Sequence, residues 1–248
     1  MRIAASAALL FGMATLAAAQ TTASWDYVGK QGALSWGRLD PSYRTCSTGQ
    51  EQSPINIHDT RLNKALQPIE FHYITGPVLL ENDGHAVLVH VKNGSYIVAG
   101  GVRYDLVEYD FHHPSETAVK GKLSDMEVHL VHKSAEGKLA IVSVRLYEDV
   151  DTPNAVLAAL WRHLPKTAGT SEKVEEMVNP GGLLPTDRSY WTYQGSLTTP
   201  PCTEGVRWFV FEQEVSLSRD QWKTYAAIFK ANTRPLQEAH GRRIEAKQ

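Results

Sequence analysis

The 248-residue chain has no apolar run long enough to cross a bilayer, because its longest, Ile3–Leu16, falls short of the roughly 20 residues a membrane helix needs. It has no charge excess either. Twenty-five basic residues stand against 27 acidic ones, so no strong field recommends nucleic acid or a membrane surface as a partner. Internal repeats, low-complexity tracts and long Pro/Ser-rich linkers are also missing, which argues for one domain rather than two. Cysteine is scarce, with only Cys46 and Cys202. A bridge between them would close a long loop and stabilise the fold by roughly 4–5 kcal/mol in the chain-entropy model, whereas two unpaired buried thiols are the alternative.

What is present fits one large domain. At 27.5 kDa and 42% hydrophobic residues, the chain can bury a substantial core. Its N-terminus reads as an export signal over residues 1–19: Arg2, the apolar stretch, then Ala17-Ala18-Ala19 as an A-x-A-like cleavage signal with Gln20 opening the mature chain. Residues 20–248 are expected to form the soluble domain, in a periplasmic or secreted location.

Most of the domain reads as strand. His85–Val91, Arg103–His112, Met126–Val131, Leu139–Tyr147 and Val206–Val215 are rich in Val, Tyr, Leu and Ile and are separated by Gly, Asn or Pro turns. Two helices are predicted. Thr152 and Pro153 open a run to about His163, and Ser218 with Gln221 forms a capping box before a run to Phe229.

Two strand-like runs carry candidate chemistry. In Tyr109–His113, Asp110 and His112 share one face while Phe111 and His113 point to the other. In Met126–His132, Glu127, His129 and Val131 share a face opposite Val128, Leu130 and His132. If the strands are antiparallel neighbours, His129 joins Asp110 and His112 in a three-ligand site with a fourth position left for water, as catalytic zinc requires. An isolated Asp-x-His is more often a solvated strand face, so the surrounding residues must decide.

Six blocks surround these runs: QSPINI at Gln52–Ile57, NDGHAV at Asn82–Val87, FHHPSE at Phe111–Glu116, MEVHLVH at Met126–His132, YWTYQGSLTTPPCTEGVRW at Tyr190–Trp208 and NTRPLQ at Asn232–Gln237. In this order they resemble the α-class carbonic anhydrases of the bacterial secreted type, from Trp25 to about Arg243. The resemblance implies a mainly β (α+β) domain: a large, twisted, mostly antiparallel central sheet with peripheral helices and a conical cavity ending at Zn2+. It also implies the Cys46–Cys202 bridge, and reversible hydration of carbon dioxide to bicarbonate with sulfonamides or anions as inhibitors if zinc is bound. The protein would act as a monomer or homodimer.

Roles follow by position. Asp110, His112 and His129 fall at the metal ligands. Thr198 occupies the place of the residue that accepts a proton from zinc-activated water, and Glu116 that of the carboxylate accepting from Thr198. Thr199 would line the bicarbonate site, and Val131, Ile141, Leu197, Val206 and Trp208 the apolar carbon dioxide pocket. Glu127 is placed to accept from His129, and the Asn232 carbonyl from His112, fixing ring tautomer and basicity. Arg234 has a structural role. His85 sits at the proton-shuttle position, since a histidine near pKa 6.5 suits that task, with Tyr27 and Asn82 ordering the water chain.

One departure is serious. The family pattern QFHFH reads EYDFH here, so Asp110 replaces the first histidine ligand and Glu108 its glutamine partner; Thr117 also replaces a histidine. An anionic ligand would leave zinc a weaker Lewis acid and shift activity to higher pH. Glu108 on the same side would repel Asp110. Rescue by His113 would need a bulge to turn it inward. Asp110 with two histidines also matches the 2-His-1-carboxylate iron pattern, although the ligand order and the other blocks oppose an iron enzyme. Two function classes remain. One is a zinc enzyme of reduced or alkaline-shifted activity, and the other is a non-catalytic binding or interaction module with weakened or absent zinc. Retained His85, Glu116, Thr198 and Thr199 favour the first, and the lost histidine favours the second.

Overall fold

Alternating apolar residues build the half-buried strands of this chain, and the computed structural model of the protein describes residues 23–248. The expected export signal and its cleavage point lie outside the described residues. The first strands are β1 (Asn56–Ile57), β2 (Arg61–Leu62), β3 (Glu70–His72), β4 (Gly76–Asn82), β5 (Val87–Val91), β6 (Tyr96–Ala99) and β7 (Val102–His112). They continue with β8 (Ala118–Val119), β9 (Met126–Lys133), β10 (Leu139–Glu148), β11 (Thr170–Val178), β12 (Tyr190–Ser196), β13 (Glu204–Phe211), β14 (Val215–Leu217) and β15 (Glu245–Lys247). The described residues hold four short α-helices: α1 (Trp36–Leu39) and α2 (Thr45–Thr48) before β1, α3 (Ala155–Trp161) between β10 and β11, and α4 (Arg219–Ala226) between β14 and β15.

Thirteen strands form one sheet whose main path runs β11-β4-β5-β7-β9-β10-β13-β12-β15-β2. Most pairs are antiparallel, as expected, while β10 lies parallel to both β13 and β14, and β15 parallel to β2. The predicted strand Val206–Val215 is two strands, because the chain turns after Phe211 before β14.

Both predicted helices exist, with changed boundaries: α3 opens later than expected, and α4 ends at Ala226 rather than Phe229. Asn154, not Thr152, caps α3: its side-chain oxygen accepts from the N–H groups of Val156 and Leu157, while the Thr152 hydroxyl donates to Asp149 instead. The Ser218–Gln221 capping box of α4 is present on both sides.

Strand alternation divides the interior in two. Tyr109, Phe111, Val128 and Leu130 enter the larger core, shared with α3 and α4 residues such as Leu157 and Tyr225. On the opposite face Ile141, Val206, Trp208 and Val210 build a second cluster, against which Val131, Leu139 and Leu197 pack. A third cluster joins Trp36 and Tyr43 to the Cys46–Cys202 disulfide, whose Cα atoms lie 5.0 Å apart across 156 residues. The expected bridge therefore ties the N-terminal segment to the turn after Thr199, where the Cys202 N–H donates to the Thr199 carbonyl.

Candidate metal centre

The register of β7 against β9 assembles the site. Asp110 stands directly across from His129, and His112 across from Glu127. Asp110, His112 and His129 each offer one ligand atom, and these atoms lie within 4.8 Å of one another. The antiparallel pairing expected from the two sequence runs is thus what brings them together. A bulge does interrupt β7, but at Val107, between Leu106 and Glu108, and it leaves His113 pointing away, with Nδ1 2.9 Å from the Asp125 carbonyl oxygen.

Each imidazole is fixed through its other nitrogen. His112 Nδ1 lies 2.8 Å from the Asn232 carbonyl oxygen, which turns Nε2 toward Asp110. His129 Nε2 lies 3.1 Å from Glu127 Oε1, leaving Nδ1 to face inward. Glu127 is itself held by the Thr117 N–H at 2.7 Å, the Thr117 hydroxyl at 2.8 Å and the Ser143 hydroxyl. Burial alone would raise its pKa, but His129 and these donors hold it down to about 2. A carboxylate or carbonyl behind each ring is the arrangement that orients a metal-binding histidine.

Three inner atoms have no hydrogen-bond partner among the described residues, and neither does the outer His129 Nε2 despite its approach to Glu127. His112 Nε2 lies 3.2 Å from Asp110 Oδ2 without a hydrogen bond to it, and Asp110 Oδ1 and Glu116 Oε2 are likewise buried and unpaired among the described residues. Such groups need an explanation, and convergence on one point supplies it: the site is built for a cation. Burial pulls the His112 pKa down, yet Glu116 and Asp110 overcome it and lift it to about 10. Two imidazoles and a carboxylate are a donor set that zinc accepts.

Two of the triad, Asp110 and His129, line a cavity of about 400 Å³. Val131, Ile141, Leu197 and Leu139 supply an apolar wall, while Thr198, Thr199, His85 and Tyr27 add polar groups. Glu108 also lines it beside Asp110, and burial, then Asp110, raises its pKa. No hydrogen bond among the described residues joins the two carboxylates; Glu108 turns to His90, with Oε2 3.4 Å from Nδ1.

The model of the eukaryotic-type carbonic anhydrase family matches residues 31–248. A carbonic anhydrase of Klebsiella pneumoniae is 37% identical over 245 residues, covering 98% of each chain. One from Neisseria gonorrhoeae is 38% identical over 88% of this chain and 86% of its own. Among solved structures, the α-carbonic anhydrase of Thermovibrio ammonificans in complex with sulfanilamide superposes with a TM-score of 0.87 at 36% identity, covering 90% of this chain and 99% of that one. The chain belongs to the carbonic anhydrase family.

Zinc is the metal of that family, and Asp110, His112 and His129 are the residues here that fit it. Other expected positions need correction. Glu116 is buried at the site, but no hydrogen bond among the described residues joins it to Thr198. Its Oε1 accepts from the Arg234 N–H at 2.7 Å, and Oε2 is drawn toward the two imidazoles, 3.7 Å from His112 Nε2 and 3.9 Å from His129 Nδ1. Asn82 does not line the cavity, because its amide donates to the Pro165 carbonyl and accepts from the Gly84 N–H, shaping the turn before His85. Val206 and Trp208 stand one layer behind the wall; Trp208 meets His129 edge-to-face at 4.9 Å.

His85 and Tyr27 do reach the cavity. Tyr27 has a buried, unpaired hydroxyl, and burial with nearby Glu116 and Asp110 raises its pKa. His85 stacks on Trp25 at 3.6 Å, with Nε2 2.9 Å from the Trp25 carbonyl oxygen, and hydrogen bonding to Asp83 raises its pKa. The role of Arg234 is structural as expected, since its guanidinium donates to the Ser53 and Cys46 carbonyls.

Sequence reasoning missed four contributors. Thr117 was noted as a departure, yet both its donors anchor Glu127. Leu139 and Lys133 line the cavity because β9 and β10 extend past the triad, a fact the alternation of each strand carried. Val107 lines it through the bulge, which left no mark in the sequence.

Proposed function

We propose that this chain catalyses the reversible hydration of carbon dioxide to bicarbonate and a proton, at zinc held by Asp110, His112 and His129. The observation that carries the reading is the convergence of three donors among unpaired buried atoms, with Asp110 and His129 lining a cavity that also has an apolar wall. Zinc bound there would supply a Lewis acid able to lower the pKa of water from about 15.7 toward about 7, less far with an anionic ligand in the set.

The chain's own groups do the rest. Val131, Ile141 and Leu197 give a small apolar substrate a dry wall, and Thr199 provides a polar edge for the bicarbonate product. The Thr198 hydroxyl, which lines the cavity, accepts a hydrogen bond at its oxygen from the attacking water and so orients it. His85 takes the released proton to solvent from the cavity mouth. The Cys46–Cys202 bridge supports placing the protein in an oxidising compartment, periplasmic or secreted. Sulfanilamide, the inhibitor bound by the Thermovibrio ammonificans relative, is an expected ligand of the zinc-loaded chain.

The test is metal content of the purified protein together with stopped-flow carbon dioxide hydration across pH, for the chain as written and for Asp110→His. Zinc binding with activity rising at alkaline pH is expected, and Asp110→His should move that rise toward neutrality and tighten zinc by roughly 10–100-fold. Zinc-free protein inactive at every pH would sink the enzyme reading.

A further inference from the structure

One group of titratable side chains lies next to the cavity and has no part in the function proposed above. The imidazole of His90, on β5, is held between two carboxylates from neighbouring strands: Nε2 is 2.8 Å from Glu81 Oε2 on β4, and Nδ1 is 3.4 Å from Glu108 Oε2 on β7. The register explains this. His90 pairs with Glu108 across β5 and β7, one step along from the Leu88–Asp110 pair, about 7 Å from it along the strand. Glu108 and Leu88 line the cavity, whereas His90 opens on the other side, into an outer groove bordered by Leu79, Lys92 and Lys173. The ring thus stands between the cavity and bulk solvent, with one nitrogen directed each way.

His85 is not equally free to move a proton. It is stacked on Trp25 with an interplanar angle of 9°, Nε2 is against the Trp25 carbonyl, and Nδ1 lies 3.8 Å from Asp83 Oδ2, so carrying a proton away from the cavity costs it these contacts.

We infer that His90 is a second proton carrier for the hydration reaction, with Glu81 and Glu108 as the residues that position its ring. The inference rests on the function proposed above. In the neutral ring the proton sits on Nε2 and is donated to Glu81. A proton arriving from cavity solvent binds the Nδ1 lone pair, giving an imidazolium that donates to both carboxylates, which only the doubly protonated ring can do. The Nε2 proton then leaves past Glu81 to bulk solvent. The neutral ring left behind, protonated on Nδ1, returns to its first tautomer by exchange with solvent, to which 34% of the side chain is open. The charged groups facing the ring are Glu81 from β4 and Glu108 from β7, with Lys92 just past the end of β5 and Lys173 of β11 at the groove.

Oxygen-18 exchange between carbon dioxide and water tests this on the full zinc-loaded chain, because it separates carbon dioxide–bicarbonate interconversion from the proton-dependent release of labelled water. His90→Ala should lower the second rate several-fold relative to the first, His85→Ala/His90→Ala should lower it further, and added imidazole should restore it. An unchanged ratio on removing His90, in both the parent and the His85→Ala background, overturns the inference while leaving the enzyme reading intact. Absence of interconversion in the parent chain overturns both. A second measurement needs no zinc. In metal-free protein with 15N-labelled histidine at about pH 5, below the ordinary imidazole range, Glu81→Gln should shift the Nε2–H signal of His90 and Glu108→Gln its Nδ1–H signal. If neither moves, the ring is not held between the two carboxylates and the inference fails.

Discussion

On the β9 side of the metal centre, the carboxylate behind His129 is buried and receives three hydrogen bonds from Thr117 and Ser143. On the β7 side, Asp110 keeps an unpaired oxygen, and its strand neighbour Glu108 is a second acceptor that turns away to His90. The first arrangement is complete before any metal arrives, since every partner of Glu127 is a donor and its charge is held far below the ordinary carboxylate range. The second is not. Two like charges sit on one strand face with no donor between them, so Asp110 gains a partner only from a cation. The β9 half therefore fixes where a metal sits, and the β7 half determines how strongly it is held and how acidic it makes water.

The largest expected effect comes from removing the carboxylate on the complete side. Glu127→Ala strands three buried donors and frees the His129 ring, and should cost about 3–5 kcal/mol in stability and at least roughly 10–100-fold in zinc affinity. Glu108→Gln, which removes the carboxylate on the other side, should change stability by no more than about 0.5 kcal/mol. Urea unfolding and chelator competition on both variants check this. Equal costs would erase the distinction between the halves.

The two halves were also unequally legible in the sequence. Strand alternation placed Asp110 and His112 on one face and His129 on the facing one, because a period of two leaves little freedom once both runs are strands. The family blocks implied Glu127 behind His129, the Asn232 carbonyl behind His112 and the disulfide. The parts that depend on neighbours distant in sequence were not readable. Thr117 gained its role because β9 brings Glu127 beside it, and Asn82 lost its expected one to a carbonyl 83 residues away. Glu108 met His90 only through the β5–β7 register. The bulge at Val107 changes which side chains line the cavity without any Gly or Pro to announce it.

The pH dependence of the metal-free chain separates the halves without a mutation at the triad. Glu127 falls from an ordinary 4.5 to about 2 in the fold, and burial lowers His132 from 6.5 to about 3. Both folded values are depressed, so both contributions are complete above the unfolded values and are lost as pH falls through about 6.5 toward about 2, each on the order of 3 kcal/mol. His112 acts in the opposite direction: its folded value is raised to about 10, so its contribution is present below 6.5 and is lost as pH rises through about 10. Stability of metal-free protein should therefore decline on both limbs. Denaturant midpoints measured from pH 3 to pH 10 test it, and a flat alkaline limb would show that Asp110 and Glu116 do not hold a proton on His112.

The effect most specific to this chain falls on Thr117 and is smaller than that of removing Glu127. Thr117→Val keeps the side-chain shape and the backbone N–H but deletes the hydroxyl that donates to Glu127 Oε1 at 2.8 Å. Glu127 keeps its bonds from the Thr117 N–H and Ser143, so the loss is one hydrogen bond to a charged group, about 1.5–3 kcal/mol. Zinc affinity should fall by less than in Glu127→Ala, because the carboxylate remains against His129 Nε2 while being less firmly held. Replacing Thr117 by Ser should restore most of both quantities, since the hydroxyl returns and only a methyl group is lost. If Thr117→Val matches the parent chain in denaturant midpoint and chelator competition, Glu127 is positioned by Ser143 and the Thr117 backbone alone, and the completeness of the β9 side does not extend to the residue by which this chain departs from its family's pattern.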